Sequence, residues 1–122
     1  NGVVNVDFLQ SDLFSALRGG VKFDLLMFNA PYLPSEAVEQ VSWIERSWAG
    51  GADGRAVIDR FIAQVRDYIK LHGRVLLMQS TLTGVEQTMR AFQACGLKAE
   101  VVATQKLPFF EILTLIEAKI EA

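Results

Sequence analysis

Cysteine and histidine are nearly absent from this chain, with Cys95 and His72 the only representatives. A lone thiol excludes an internal disulfide and suits a reducing cytoplasm. One Cys and one His do not make a zinc site, so no metal ligand is assigned. Long apolar runs are also missing. Nothing approaches the roughly 20 residues that span a bilayer, and no cationic start leads into an apolar stretch. Neither a membrane span nor a secretory signal is therefore expected. Positive charge is not in excess: 12 Lys and Arg against 14 Asp and Glu give a net charge of −2. That balance offers no general attraction to nucleic acid. There is no initiating Met either. The chain opens on Asn1, from which an upstream part is expected.

What is present fits a globular core within at most one domain, since 51% of the 122 residues are hydrophobic and 21% charged. Only three prolines occur, and Pro31 and Pro34 stand close together after an apolar run. Leu25 to Phe28 reads as a buried parallel strand. The prolines then forbid both strand and helix just past its carboxyl end, where open α/β sheets place ligand sites. Asn29 offers one acceptor and two donors, and Tyr32 a flat aromatic face. Taken alone, the pattern fits either a proline-stiffened turn or a grip on a planar amide or base amino group.

The remaining pattern predicts further elements. Val4 to Leu9 alternates like a strand. Ser11 or Asp12 could cap a short helical turn from Leu13 to Leu17, ended by Gly19-Gly20. A long loop is expected over 29–52. Val57, Ile58, Phe61, Ile62, Val65, Tyr68 and Ile69 then share the apolar face of a helix, with Asp53 as cap and Gly73 as stop. His72 falls at the end of that helix. Arg74 to Gln79 is the next strand. Thr83 caps a helix to about Cys95, with Val85, Met89 and Phe92 inward. Lys98 to Thr104 and Phe109 to Ala118 form two last strands. Their connection is too short for a crossover helix, so they should be antiparallel neighbours.

Two stretches carry a family resemblance. Asn29-Ala30-Pro31-Tyr32 resembles the Asn-Pro-Pro-Tyr signature of class I methyltransferases that act on amide or exocyclic amino nitrogen. Trp48-Ala49-Gly50-Gly51-Ala52-Asp53-Gly54-Arg55 resembles the Trp-x-Gly-Gly-x-Asp-Gly-Arg segment of HemK-type protein glutamine methyltransferases, especially their archaeal and eukaryotic branch. The resemblance implies an α/β fold: a Rossmann-like class I methyltransferase sheet of order 3-2-1-4-5-7-6 with an antiparallel C-terminal hairpin. Residues 1–122 would be the C-terminal portion of one such domain. Val4 to Leu9 would be its strand three, Asp24 to Phe28 its strand four and Arg74 to Gln79 its strand five. The first two strands and the glycine-rich loop are not in the sequence.

By the same resemblance the reaction is S-adenosylmethionine-dependent N5-methylation of a protein glutamine in a translation release factor. Asn29, Ala30, Pro31 and Tyr32 form the catalytic motif. The Asn29 side-chain oxygen and the Ala30 carbonyl would accept the substrate NH2 hydrogens, with Tyr32 stacking on the amide. Ala30 departs from the family proline, and restoring proline there is expected to be tolerated. Asp12 would accept from the adenine amino group, Leu13 would pack on its ring, and Asn29 would also border the cofactor. Trp48, Gly50, Gly51, Asp53, Gly54 and Arg55 would shape the wall beside the substrate. A small zinc-binding activator subunit would pair with the edge strand Val4–Leu9. The alternatives are N6-adenine methylation of DNA or RNA, against which the acidic balance and the second motif argue, and a non-catalytic fragment or binding module.

Overall fold

The computed structural model describes residues 2–31, 54–108 and 111–121. Within them, a four-stranded sheet carries two helices. The strands are β1 (Phe23–Asn29), β2 (Ile69–Ser80), β3 (Leu97–Lys106) and β4 (Ile112–Ile120), and the helices are α1 (Ala56–Val65) and α2 (Val85–Ala94). The sheet order is β1-β2-β4-β3, with β1 parallel to β2 and β4 antiparallel to both β2 and β3. This corresponds to strands 4-5-7-6 of the expected order, antiparallel hairpin included.

Alternation along the strands decides which face is covered. Val75, Leu77 and Gln79 of β2, and Thr114, Ile116 and Ala118 of β4, are buried. Period-two geometry puts these residues on one face. Ile58, Phe61, Ile62 and Val65 of α1 and Phe92 of α2 join them in a single core. Their spacing on α1 is the three-four repeat that the sequence shows. The opposite face carries Leu25, Met27, Met78 and, at half burial, Leu76, Leu113 and Leu115. An open recess of about 480 Å³ on that face is lined by Met27, Phe28, Asn29, Leu76, Met78 and Leu115. Among the described residues no helix is long and apolar enough to cross a membrane.

Three expectations are corrected. Val4 to Leu9 is not a strand: residues 3–10 have no regular structure, and Val4 and Phe8 are 95% and 94% exposed. Alternation supplies only side chains. A strand also needs a neighbouring backbone for its ladder, and none lies beside this segment among the described residues. Second, the helix begun at Ala56 ends at Val65. A turn of 3-10 helix follows at Arg66–Tyr68, and β2 starts at Ile69. His72 and Gly73 therefore lie in a strand and do not end a helix. Phe23 pairs with Ile69 but Leu25 with Arg74, so Lys70–Gly73 bulge out of the ladder. A Cβ on Gly73 would sit 2.8 Å from the Phe23 carbonyl oxygen, which explains glycine there. Third, α2 is preceded by Gly84 at φ 81°, and Thr83 belongs to a separate 3-10 turn, Thr81–Thr83. The proposed helix cap Asp53 lies outside the described residues. Arg55 occupies the N-cap position of α1 and makes no side-chain capping bond there.

Candidate functional site

Asn29 is the last residue of β1 and its side chain is exposed. It stands opposite Met78 in the ladder, and the Ala30 N–H donates to the Met78 carbonyl at 3.0 Å. Ala30 is 2% exposed and Pro31 is buried as well. The strand thus ends in an exposed amide side chain followed at once by two immobilised residues. Ala30→Pro would give up this bond, because proline has no N–H to offer Met78. Tyr32, Trp48, Gly50, Gly51 and Asp53 lie outside the described residues.

The second predicted cluster is the turn after residue 10. Its backbone closes through Ser15 N–H to the Asp12 carbonyl and Leu17 N–H to the Phe14 carbonyl. No helix forms over Leu13 to Leu17, so neither candidate caps one; the Ser11 hydroxyl instead accepts from the Ala16 N–H, five residues on, at 3.0 Å. The Asp12 carboxylate is exposed and accepts from Arg60 of α1 at 2.7 Å. Leu13 has φ 53°, a left-handed conformation rare for a branched residue. It packs, partly buried, against the core. Asp12 and Leu13 fit one part of the expected cofactor: an accessible carboxylate can accept from an adenine amino group, and an adjacent apolar side chain can cover the ring. Among the described residues no glycine-rich turn follows a strand, so the methionine part has no cradle there.

An aromatic stack joins the two clusters, and sequence reasoning did not anticipate it. Phe61 of α1 stacks on Phe28, the neighbour of Asn29, with centroids 4.3 Å apart. It also stacks on Phe14, which follows Asp12 and Leu13, at 5.5 Å. Phe14 in turn lies on Tyr68 at 4.3 Å. The apolar face of α1 was visible in the sequence. Nothing in its spacing shows which rings reach it from 33 and 47 positions away (61 − 28 and 61 − 14).

The acceptors that Arg55 finds in the connection after β2 are the other unanticipated feature. Arg55 is 5% exposed, and one of its terminal nitrogens donates to the Thr83 carbonyl (2.6 Å), the Gly84 carbonyl (2.8 Å) and the Thr88 hydroxyl (2.9 Å). The other terminal nitrogen meets Asp59 at 2.8 Å. Asp59 is thus its carboxylate partner among the described residues. Nearby, Gln79 donates to Thr83 Oγ1 at 3.0 Å, while its own Oε1 is buried with no partner among the described residues. Glu117 lies on the open face, where Lys119 and Arg74 hold its carboxyl below the usual range, chiefly through the Lys119 hydrogen bond. Among the described residues no group of three or more His, Cys, Asp or Glu gathers to hold a metal.

Comparison with known proteins adds an independent line. No protein-family model matches the chain. It is 41% identical over 113 residues to a protein N5-glutamine methyltransferase of Methanocaldococcus jannaschii, covering 92% of this chain and 56% of that protein. It is 34% identical over 106 residues to the human methyltransferase HEMK2, covering 84% and 50% respectively. The chain therefore spans about half the length of these curated relatives. Among solved structures it superposes on the E. cuniculi Mtq2–Trm112 complex, which methylates the eRF1 translation termination factor. The TM-score is 0.74 at 21% identity, over 93% of this chain and 60% of that one, which is a likeness of fold.

Proposed function

The chain belongs to the HemK-type protein (glutamine-N5) methyltransferase family, and from that premise we propose that it is the C-terminal portion of one methyltransferase domain, bearing the amide-gripping half of the site. The observation that carries this reading is Asn29, an exposed amide at the carboxyl end of a parallel strand, fixed by Met78 on one side and by buried Ala30-Pro31 on the other. The complete protein methylates the side-chain nitrogen of a glutamine in a translation release factor, in the cytoplasm.

The cofactor is S-adenosylmethionine, which supplies an electrophilic methyl group on a sulfonium sulfur. Asp12 and Leu13 would hold its adenine, the Asp12 carboxylate that now meets Arg60 accepting from the adenine amino group. An amide nitrogen is a poor nucleophile, since its lone pair is delocalised into the carbonyl. Asn29 Oδ1 and the Ala30 carbonyl accept its two hydrogens, orienting the lone pair and stabilising the charge that grows on nitrogen. Tyr32 stacks on the amide plane. With the cofactor bound, the amide nitrogen would take the methyl group from the sulfonium sulfur, and Asn29 and Ala30 would hold the N–H groups, one of which gives up its proton to solvent. A small activator subunit engages the segment from Val4 to Leu9, whose exposed Val4, Val6 and Phe8 would gain a ladder by pairing with it.

The test uses the full-length protein with a Gly-Gly-Gln peptide and an adenine-containing oligonucleotide. Asn29→Ala should lower peptide turnover by about 10²–10³-fold, the loss expected for one preorganised acceptor. Cofactor affinity, read by calorimetry, should change little. Methylation of the oligonucleotide in place of the peptide would sink the glutamine reading, and undiminished peptide turnover by Asn29→Ala would sink the grip.

A further inference from the structure

We propose that Arg55 is a positioning residue for the methyl transfer, an inference that rests on the reading of Asn29 as the amide grip. A guanidinium buried to this degree is costly unless its donors and charge are matched. Here they are matched by Asp59 and by three oxygens of the connection that leaves β2: the Thr83 and Gly84 carbonyls and the Thr88 hydroxyl. That connection is stiff in its own right. Ser80 Oγ accepts from the Leu82 N–H at 3.1 Å, and the Thr83 hydroxyl donates to the Ser80 carbonyl at 2.8 Å.

Asn29 has two supports. One is the end of β2, through its pairing with Met78 and the Ala30 N–H. The other is α1, whose Phe61 stacks on the adjacent Phe28. Arg55 stands at the start of α1 and grasps the chain only a few residues past Met78. It therefore clamps the two supports to each other, and the position of Asn29 follows from their relative placement. The fork of the guanidinium is needed for this, because a lysine ammonium has three donors at a single nitrogen and cannot span the turn and Asp59 together.

The experiment compares Arg55→Lys and Arg55→Met with the full-length protein, using the Gly-Gly-Gln peptide and counting folded molecules by calorimetric cofactor stoichiometry. Small displacements of an aligned group are expensive, so kcat per folded molecule should fall by about tenfold or more in both, with peptide KM and cofactor affinity little changed. Thr88→Val, which removes one of the acceptors among the described residues, should fall less. A merely structural role would lower Tm and the folded fraction but leave kcat per folded molecule at the wild-type value, and that result overturns the proposal. Should Arg55→Met fail to fold, Arg55→Lys decides on the same criterion. Failure of both to fold assigns Arg55 to stability alone and equally overturns it. Asn29→Ala runs alongside: if it turns over normally, the amide-grip reading is at fault, whatever Arg55 does.

Discussion

The two faces of this sheet are made from the same strands and differ in almost everything else. One is sealed by α1 and α2, and Val75, Leu77, Ile116, Ala118 and Phe92 are each fully buried there. The other shows Met27, 74% exposed, in a row with Leu76, Met78 and Leu115, and it carries Asn29 at its upper end. A parallel pair such as β1 and β2 is ordinarily covered on both faces. Fold stability here is thus supplied from one side, and the chemically active end projects toward the other. Stability and activity should be separable by choosing the face on which a residue is changed.

The largest contrast should come from truncating the sealed face. Phe92→Ala should cost about 3–5 kcal/mol, as for other buried aromatics. That is a large fraction of the roughly 5–15 kcal/mol that holds a globular fold together. Loss of near-ultraviolet dichroism at 25 °C would register it, and a variant retaining a cooperative transition near the parent midpoint would break the comparison. On the open face, Met27→Ser should stay within about 0.5 kcal/mol in this chain by urea titration. The same change in a full-length protein sharpens the point, since a cost of about 2 kcal/mol or more there would mean that further chain buries Met27. The smallest effect belongs to Glu117. Its carboxyl is held below the usual range by the Lys119 hydrogen bond first and then by Arg74, so the folded state favours the ionised form. The stabilisation is complete above the unfolded carboxylate value and is lost as pH falls through the folded one. Glu117→Gln should therefore cost about 0.5 kcal/mol at neutral pH and nothing once acid has protonated the parent, by thermal melts across that range.

What the sequence reveals follows the range of the interactions involved. The β1 run and its abrupt end at Asn29–Pro31 are local, and so are the apolar stripe of α1 and the short link between β3 and β4. These are legible in the residues themselves. The α1 to β2 boundary is not, because Tyr68 and Ile69 continue the helical spacing while Ile69 is claimed by Phe23 across the sheet. Val4 to Leu9 misleads for the complementary reason: its alternation is real, but a strand is a relation between two segments. Arg55 shows the same limit at the site. Its motif marked it, yet its acceptors Thr83 and Thr88 lie 28 and 33 residues further along.

The outermost place of β1 in the sheet has a consequence on the timescale of amide exchange. Among the described residues β1 is paired on one side only, so it turns alternate N–H groups inward to β2 and the others away from it. Residues Phe23–Asn29 should therefore not exchange as a block. Inward amides would wait for the sheet to open, while outward ones would trade hydrogen for deuterium at nearly the rate of an unfolded peptide. The opposite edge strand, β3, has charged residues at Lys98, Glu100 and Lys106 and a bulge between Val101 and Ala103. β1, reading Phe-Asp-Leu-Leu-Met-Phe-Asn, has only Asp24 to discourage another backbone from settling on its free side. The same alternate amides that exchange fastest in dilute solution should be the first to become protected when anything pairs there.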